Sequence, residues 1–405
     1  MSLAAAGTKT GGVFLVAAKR TPFGSFGGSL KSITPTELGV ISSKAALAGL
    51  DPLLVDTVYF GNINPSSKDA AYLARHVALQ SGCAQSTPAL TLNRACGSGF
   101  EAVIQGYNAI RLGQAQVALC GGSENMSMAP LQICGNDARW GVPLGKGLTV
   151  RDGLWAGLQD DYVQLSMGMT AEKLAEKYGI TREQCDAFAL RSQQNWKAAH
   201  DQGLFEAEMA PVELPNKKGT TTLLTTDEHP RPDVTLEKLA KLRPVFQKDG
   251  VVTAANASGI CDGAGAIVVA SEEAVQQHNL QPLARIVSYG ITGCDPTIMG
   301  IGPVSAIRQA LARADTSLDQ VDRVEINEAF AAQFLACATE LGVDMDKANL
   351  HGGAISLGHP TGASGARIIA HLAHEFHQEG SKAKLSIGSA CIGGGQGIAV
   401  LLEKA

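Results

Sequence analysis

The stretch Pro88–Ser127, PALTLNRACGSGFEAVIQGYNAIRLGQAQVALCGGSENMS, governs how the rest of the chain reads. A short apolar strand runs into a sharp turn at Cys96. A nearly all-apolar helix follows, and then a second strand, VALCGG, ending in small residues. A helix apolar around its whole circumference has no solvent face, so it belongs between layers. The segment 359–390, HPTGASGARIIAHLAHEFHQEGSKAKLSIGSA, repeats the plan: a GxSG turn, a buried helix, and a strand closing on small residues. Two copies of one unit imply internal duplication. If the halves stack face to face, the turns that open the two helices meet at one cleft and bring Cys96 and His359 together.

Working outward, VFLVAA, PTELGVISSKAALAGL, TVYFGNI and AAYLARHVALQSG alternate strand and helix before the central stretch. ARIVSYG, VSAIRQALARA, RVEIN, EAFAAQFLACATEL and SIGSACIGGGQGIAVLLEK do so after it. Such alternation predicts an α/β protein whose sheets are covered on both faces. Between them the texture changes. Trp140, Trp155 and Trp196, the polar helices MTAEKLAEKYG and TREQCDAFALRSQQNWKAAHDQG, and the loop-rich run NKKGTTTLLTTDEHPRPDVT all fall in one span. The expected organisation is therefore an N-terminal half over 1–127 completed by 257–280, an inserted lid over 128–256, and a C-terminal half over 281–405.

The chain has 405 residues, enough for two or three domains around a large core. With 46 glycines and only 5% aromatics, that core must be built from aliphatic side chains and close backbone contacts. A formal charge of -5 leaves no global basic field to hold nucleic acid or an anionic membrane. Nine cysteines, an odd number without CxxC spacing, argue against a secreted disulfide framework and against a zinc cluster. No apolar run reaches spanning length, so stable membrane insertion is not expected. Lys9, Lys19, Arg20 and Lys31 precede the first acid, Glu37, a faint matrix-targeting bias; but GVFLVAAKRTPFG already reads as core strand, and the C-terminal LLEKA carries no peroxisomal address.

Four residues in this frame can carry chemistry. Cys96 stands at a helix N-terminus, where the backbone dipole favours thiolate, and Gly97 and Gly99 leave room for a sharp turn and close approach of substrate. His359 lies in GGAISLGHPTG, a glycine- and proline-rich segment expected to present the imidazole on a loop tip. A histidine beside a thiol is the ordinary means of making thiolate near neutral pH. Cys391 ends a strand and enters the glycine run of CIGGGQG, whose backbone N–H groups suit an oxyanion. Asn327 follows the strand RVEI, at the carboxyl end where open α/β sheets place active sites, and also reads as an N-cap for the next helix.

RACGSGF, NEAF, GGAISLGHPTG, CIGGGQG and TAANASGICDGAGA resemble the motifs of the thiolase family, in the family's order and across nearly the whole chain. CIGGGQGIAV, ARIVSYG with GCDPTIMGIGPV, and TDEHPRP look most like its mitochondrial β-oxidation branch. The resemblance implies two five-stranded halves stacked in αβαβα layers, a loop domain over the active site, a homodimer or homotetramer, and the mitochondrial matrix, with the cytoplasm as the alternative. It implies Cys96 as acyl-carrying nucleophile, His359 as the base that activates it, and Cys391 as second acid/base. It further implies that Asn327 holds a water, and that the N–H groups of Cys96 and Gly393 receive the tetrahedral oxyanion. CoA and acyl-CoA would be substrates rather than resident cofactors, met by Ser258 near the pantetheine and Arg231 near the adenine. Met167, Phe246 and Phe330 are candidates for the tunnel lining. Two departures stand out: Val234, where relatives often carry a small hydroxyl residue, and Leu350-His351, where Val-Asn is common. The competing readings are a short-chain acetoacetyl-CoA thiolase, a ketoacyl synthase, opposed by the CIGGGQG cysteine and the single GHP histidine, and a thiolase-fold lipid-binding protein without turnover.

Overall fold

A computed structural model describes residues 11–215 and 220–405; Lys9 and the segment NKKG lie outside them. The N-terminal half runs β1 (Val13–Arg20), α1 (Pro35–Ala46), β2 (Thr57–Gly61), α2 (Leu73–Gln80), β3 (Ala89–Leu92), α3 (Ser98–Arg111) and β4 (Val117–Asn125). An insertion follows, with α4 (Met167–Tyr178) and α5 (Arg182–Asp201) as its long helices; then β5 (Cys261–Ser271) returns to pair with both β1 and β4. The C-terminal half runs β6 (Ala284–Gly293), α6 (Gly302–Arg313), β7 (Arg323–Ile326), α7 (Ala331–Leu341), α8 (Ser364–Glu375), β8 (Leu385–Ile392) and β9 (Gln396–Lys404).

Local chemistry accounts for several of these limits. Thr34 and Glu37 cap α1 reciprocally with Pro35 in its first turn, and Thr181 and Gln184 do the same for α5. Ser166 caps α4, and Gly179 and Gly342 end α4 and α7 in the left-handed region that glycine adopts without strain.

The strands form one mixed sheet in the order β7-β8-β9-β6-β1-β5-β4-β2-β3. Within the sheet, among the described residues, the two halves pair through Phe14↔Arg285 and Leu15↔Ala284, and outward from that seam each half runs antiparallel, antiparallel, then parallel. Every residue of β4 and β5 is buried, as strands covered on both faces must be. An apolar cluster of α3, α8 and inner-face residues from both halves makes the middle of the molecule. A second cluster packs α1 and α2 outside the N-terminal strands, and a third packs α6 and α7 outside the C-terminal ones. The result is the expected αβαβα layering.

The C-terminal half has four paired strands rather than the expected five: the position matching β3 is reduced to a single parallel bridge, Val324↔Ala348. The chain there turns through Asn349 and Gly352, both at positive φ, and so leaves the extended conformation before a ladder can form.

Candidate active site

The two central helices touch because neither has a side chain at the crossing. A Cβ on Gly99 would lie 2.5 Å from the Ala366 nitrogen, and one on Gly365 would lie 2.2 Å from the Phe100 nitrogen. The space at Gly99 therefore serves α8 rather than substrate, and that at Gly97 is filled by Ile392, 2.6 Å from where a Cβ would stand. The close crossing at these glycines brings both helix N-termini to one place.

The turn that carries Cys96 is strained and braced. Ala95 has φ 41°, a left-handed conformation that costs a residue with a Cβ about 1–3 kcal/mol. Asn93 Oδ1 accepts from the Ala95 N–H at 2.8 Å, and Ser98 Oγ both accepts from the Arg94 N–H and donates to the Ala95 carbonyl, each at 2.8 Å. Arg94 in turn donates to Glu101 at 2.7 Å and to Gln396 at 3.0 Å, tying the turn to the opposite half. The N-cap of α3 is Gly97, with no side chain to compete for the end of the helix.

Desolvation pushes the Cys96 thiol up to about 11, opposed by the Gly393 N–H, which donates to the sulfur, and by its own backbone N–H; the Glu124 charge adds to the rise. The helix end thus does not outweigh burial, contrary to the sequence expectation, and the resting group is a thiol. Cys391, 1% exposed, sits near Cys96, and its thiol is also raised well above the ordinary range by burial and by that neighbour. Met299 and Ala329 enclose Cys391, with Met167 and Phe330 packed against them.

His359 is 6% exposed, so it is buried rather than on a loop tip. Its N–H donates to the Gly259 carbonyl at 2.8 Å, and its Nδ1 lies 2.6 Å from Ser364 Oγ. Ser364 directs its hydroxyl hydrogen to the Pro360 carbonyl at 3.2 Å, which leaves Oγ to accept from Nδ1–H. That assignment places the lone pair on Nε2, where Asn327 Nδ2 approaches at 3.4 Å. Burial lowers the imidazole to about 4, with Arg367 adding to the effect. At neutral pH both partners are therefore uncharged: the histidine is free to take a proton and the thiol has one to give.

Asn327 is fully buried, its N–H held by the Ser389 carbonyl at 2.8 Å, while its Oδ1 has no hydrogen-bond partner among the described residues. It is not an N-cap, because α7 begins only at Ala331.

A cavity of about 490 Å³ leads from the surface to His359 and Thr361. Met167, Phe246, Phe330 and Ser258 line it, together with the apolar side chains of Phe26, Met126, Trp155, Leu158 and Ile260. Arg231 stands where this cavity meets a second one, of about 330 Å³, between α5 and the 229–242 loop, which Val234 also lines. The Arg231 main-chain N–H donates to Gln193, and Nη1 donates to the carbonyls of Glu228, His229 and Pro230, so the exposed guanidinium is held at one nitrogen only.

His351 lies apart from this site, its Nδ1 2.9 Å from His371 Nε2, and His371 Nδ1 faces Glu208 at 2.8 Å. His351, His371 and Glu375 bring donor atoms within 4.8 Å of one another, but Glu375 pairs with Arg323 and the two imidazoles with each other.

Sequence reasoning missed Ser364 and Glu124. The second is a fully buried carboxylate at the end of β4 that accepts from Thr361 and Gly362 beside the histidine.

Residues 13–273 match the family model described as "Thiolase, N-terminal domain", and residues 280–404 match "Thiolase, C-terminal domain". The chain is 56% identical over 394 residues to the mitochondrial 3-ketoacyl-CoA thiolase of Homo sapiens, covering 97% of this chain and 98% of that one. It is 48% identical over 394 residues to an acetyl-CoA acetyltransferase of Pseudomonas aeruginosa, covering 97% and 99%. Among solved structures, the human mitochondrial 3-ketoacyl-CoA thiolase in complex with CoA superposes with a TM-score of 0.94 at 54% identity, over 98% of this chain and 99% of that one.

Proposed function

The chain belongs to the thiolase family, and on that premise we propose that it cleaves 3-oxoacyl-CoA with free CoA into acetyl-CoA and a shortened acyl-CoA, as an enzyme of fatty-acid β-oxidation. The observation that carries the reading is the Gly393 N–H donating to the Cys96 sulfur, with the buried Cys391 thiol near enough to feel its charge, in a site whose neutral His359 is fixed by Ser364 at Nδ1 and turns its Nε2 lone pair towards Asn327.

His359 Nε2 takes the Cys96 proton, and the sulfur attacks the C3 carbonyl. The N–H groups of Cys96 and Gly393 receive the resulting oxyanion. As the C2–C3 bond breaks, its electron pair passes into the thioester as an enolate, whose oxygen is met by the protonated His359 and by a water held on Asn327. The unpartnered Oδ1 of Asn327 supports that role. Cys391 then protonates C2, and acetyl-CoA leaves. Incoming CoA gives its thiol proton to the Cys391 thiolate, attacks the acyl group on Cys96 and releases the shortened acyl-CoA; His359 returns its proton to Cys96.

CoA enters by the Arg231 end of the cavity, with Ser258 beside the pantetheine. Arg231→Ala is expected to raise the KM for CoA roughly tenfold while changing kcat less, because the contact lies far from the reacting atoms and contributes nearly uniform binding. Titration of CoA showing wild-type affinity in the variant would remove Arg231 from the site. The mitochondrial matrix is the compartment we infer, by likeness to relatives named mitochondrial. We infer a homodimer or homotetramer, in keeping with edge strand β3, which exposes Leu90.

The apolar lining favours acyl chains longer than the four-carbon substrate. Each buried methylene contributes about 0.8 kcal/mol, so kcat/KM should climb from acetoacetyl-CoA towards medium-chain 3-oxoacyl-CoA and then level off. A rate that falls steeply for everything longer than acetoacetyl-CoA would instead select the short-chain reading, which the Pseudomonas relative represents.

A further inference from the structure

Glu124 is fully buried where the two halves meet, and five hydrogen bonds end on its two carboxylate oxygens. From the N-terminal half, Ile63 N–H reaches Oε2 at 3.1 Å, Asn64 N–H reaches Oε1 at 3.0 Å, and the Asn62 amide reaches Oε1 at 3.4 Å. From the C-terminal half, Thr361 Oγ1 and the Gly362 N–H each reach Oε2 at 3.1 Å. The loop lies directly on the end of β4: a Cβ on Gly122 would stand 1.9 Å from the Gly362 carbonyl oxygen, and one on Gly362 would stand 2.7 Å from that of Ser123. No side chain fits between them, so the carboxylate is the clasp that keeps the contact closed.

We propose that Glu124 is a positioning residue for the catalytic histidine, its carboxylate clamping the 359–362 loop to the N-terminal half and thereby fixing the His359 imidazole. The proposal rests on the thiolysis assigned above, and it names a group outside the proposed proton transfers. Ser364 and Asn327 hold the ring at its nitrogens; Glu124 holds the backbone that carries it.

The geometry calls for an ionised group, since five donors face it and a protonated carboxyl would turn its own O–H on one of them. Burial opposes ionisation and pushes the carboxyl up to about 7, against the donors from Asn64, Ile63, Thr361 and Gly362. The clamp is therefore intact above about pH 7 and loosens as pH falls through that value. Of the surrounding groups, Cys96 before α3 is raised to about 11 and His359 is lowered to about 4, so neither changes charge there. On β5, the Cys261 thiol is raised well above its ordinary value, and Asp262, also raised by burial, turns to Ser127. Arg367 of α8 is paired with Glu325, and Glu37 and Lys44 of α1 face solvent.

The test compares wild type with E124Q, whose amide keeps the shape but sets N–H against N–H. Wild-type kcat should drop as pH falls through about 7. In E124Q kcat should be lower by roughly 10- to 100-fold above that pH, with the inflection gone and the KM for CoA within about twofold of wild type. Wild-type kcat in E124Q, or a loss by one constant factor with the inflection retained, would overturn the proposal. Should E124Q not fold, T361V removes one donor and must move the inflection to higher pH, because that hydrogen bond lowers the carboxyl; an unmoved inflection overturns the role equally. Alkylation of Cys96 by iodoacetamide needs no substrate, so its rate should show the same inflection in wild type. Its absence there sinks the clamp, whereas a wild-type enzyme that alkylates as described but cleaves no 3-oxoacyl-CoA refutes only the assigned reaction.

Discussion

Cys96→Ala is expected to lose acyl-enzyme formation outright, with thiolysis reduced on the order of 10³-fold or more. The expectation follows from the turn rather than from the motif alone. Ala95 is held in a strained conformation, Asn93, Arg94 and Ser98 brace it, and the Gly393 N–H points at the sulfur. Such an arrangement positions one atom, and nothing beside it can take over. Cys391 is a neighbouring thiol, but it is enclosed by Met299 and Ala329 and burial raises it well above the ordinary range. Folding should survive the change, because Cys96 is only partly buried and its side chain accepts no more than the hydrogen bonds described. Acyl loading equal to wild type, measured as covalently bound radiolabelled acyl group, would dismiss Cys96 as the carrier.

Cys391→Ala separates the two thiols. Acyl transfer from an acyl-CoA to Cys96 needs no proton on carbon, so the variant should still load. Exchange of the acetyl-CoA α-protons with solvent deuterium does need such an acid/base, and should fall on the order of 10³-fold. Burial keeps the Cys391 thiol protonated at neutral pH, which suits it to deliver a proton to the carbanion equivalent. Exchange at the wild-type rate in this variant would assign the proton transfer to another group.

The sequence showed the duplication and the chemistry well because both are local. Strand, turn and apolar helix around Cys96 read directly, and so did the matching GxSG segment before α8. The two long helices of the insertion were legible as the polar runs MTAEKLAEKYG and TREQCDAFALRSQQNWKAAHDQG, which match α4 and α5. What depends on packing was not. The thiol at a helix N-terminus suggested a depressed pKa, but the desolvation that reverses it comes from layers remote in sequence. His359 read as a loop tip because glycine and proline usually mark exposed turns, yet here the glycines allow the loop to lie against β4. Ser364 was hidden in a run of small residues that reads as turn composition. Glu124 did leave a signal, a single carboxylate closing an otherwise small and apolar strand, CGGSEN, but only its five donors give that signal a meaning.

The most direct test of the account is to mix the enzyme with 3-oxooctanoyl-CoA in the absence of free CoA and map the product by peptide mass spectrometry. Release of acetyl-CoA with one six-carbon acyl group on the Cys96 peptide is the predicted result, since the sulfur attacks C3 and keeps everything beyond it. An acyl group on any other peptide, or an intact eight-carbon 3-oxoacyl group on Cys96, would contradict it.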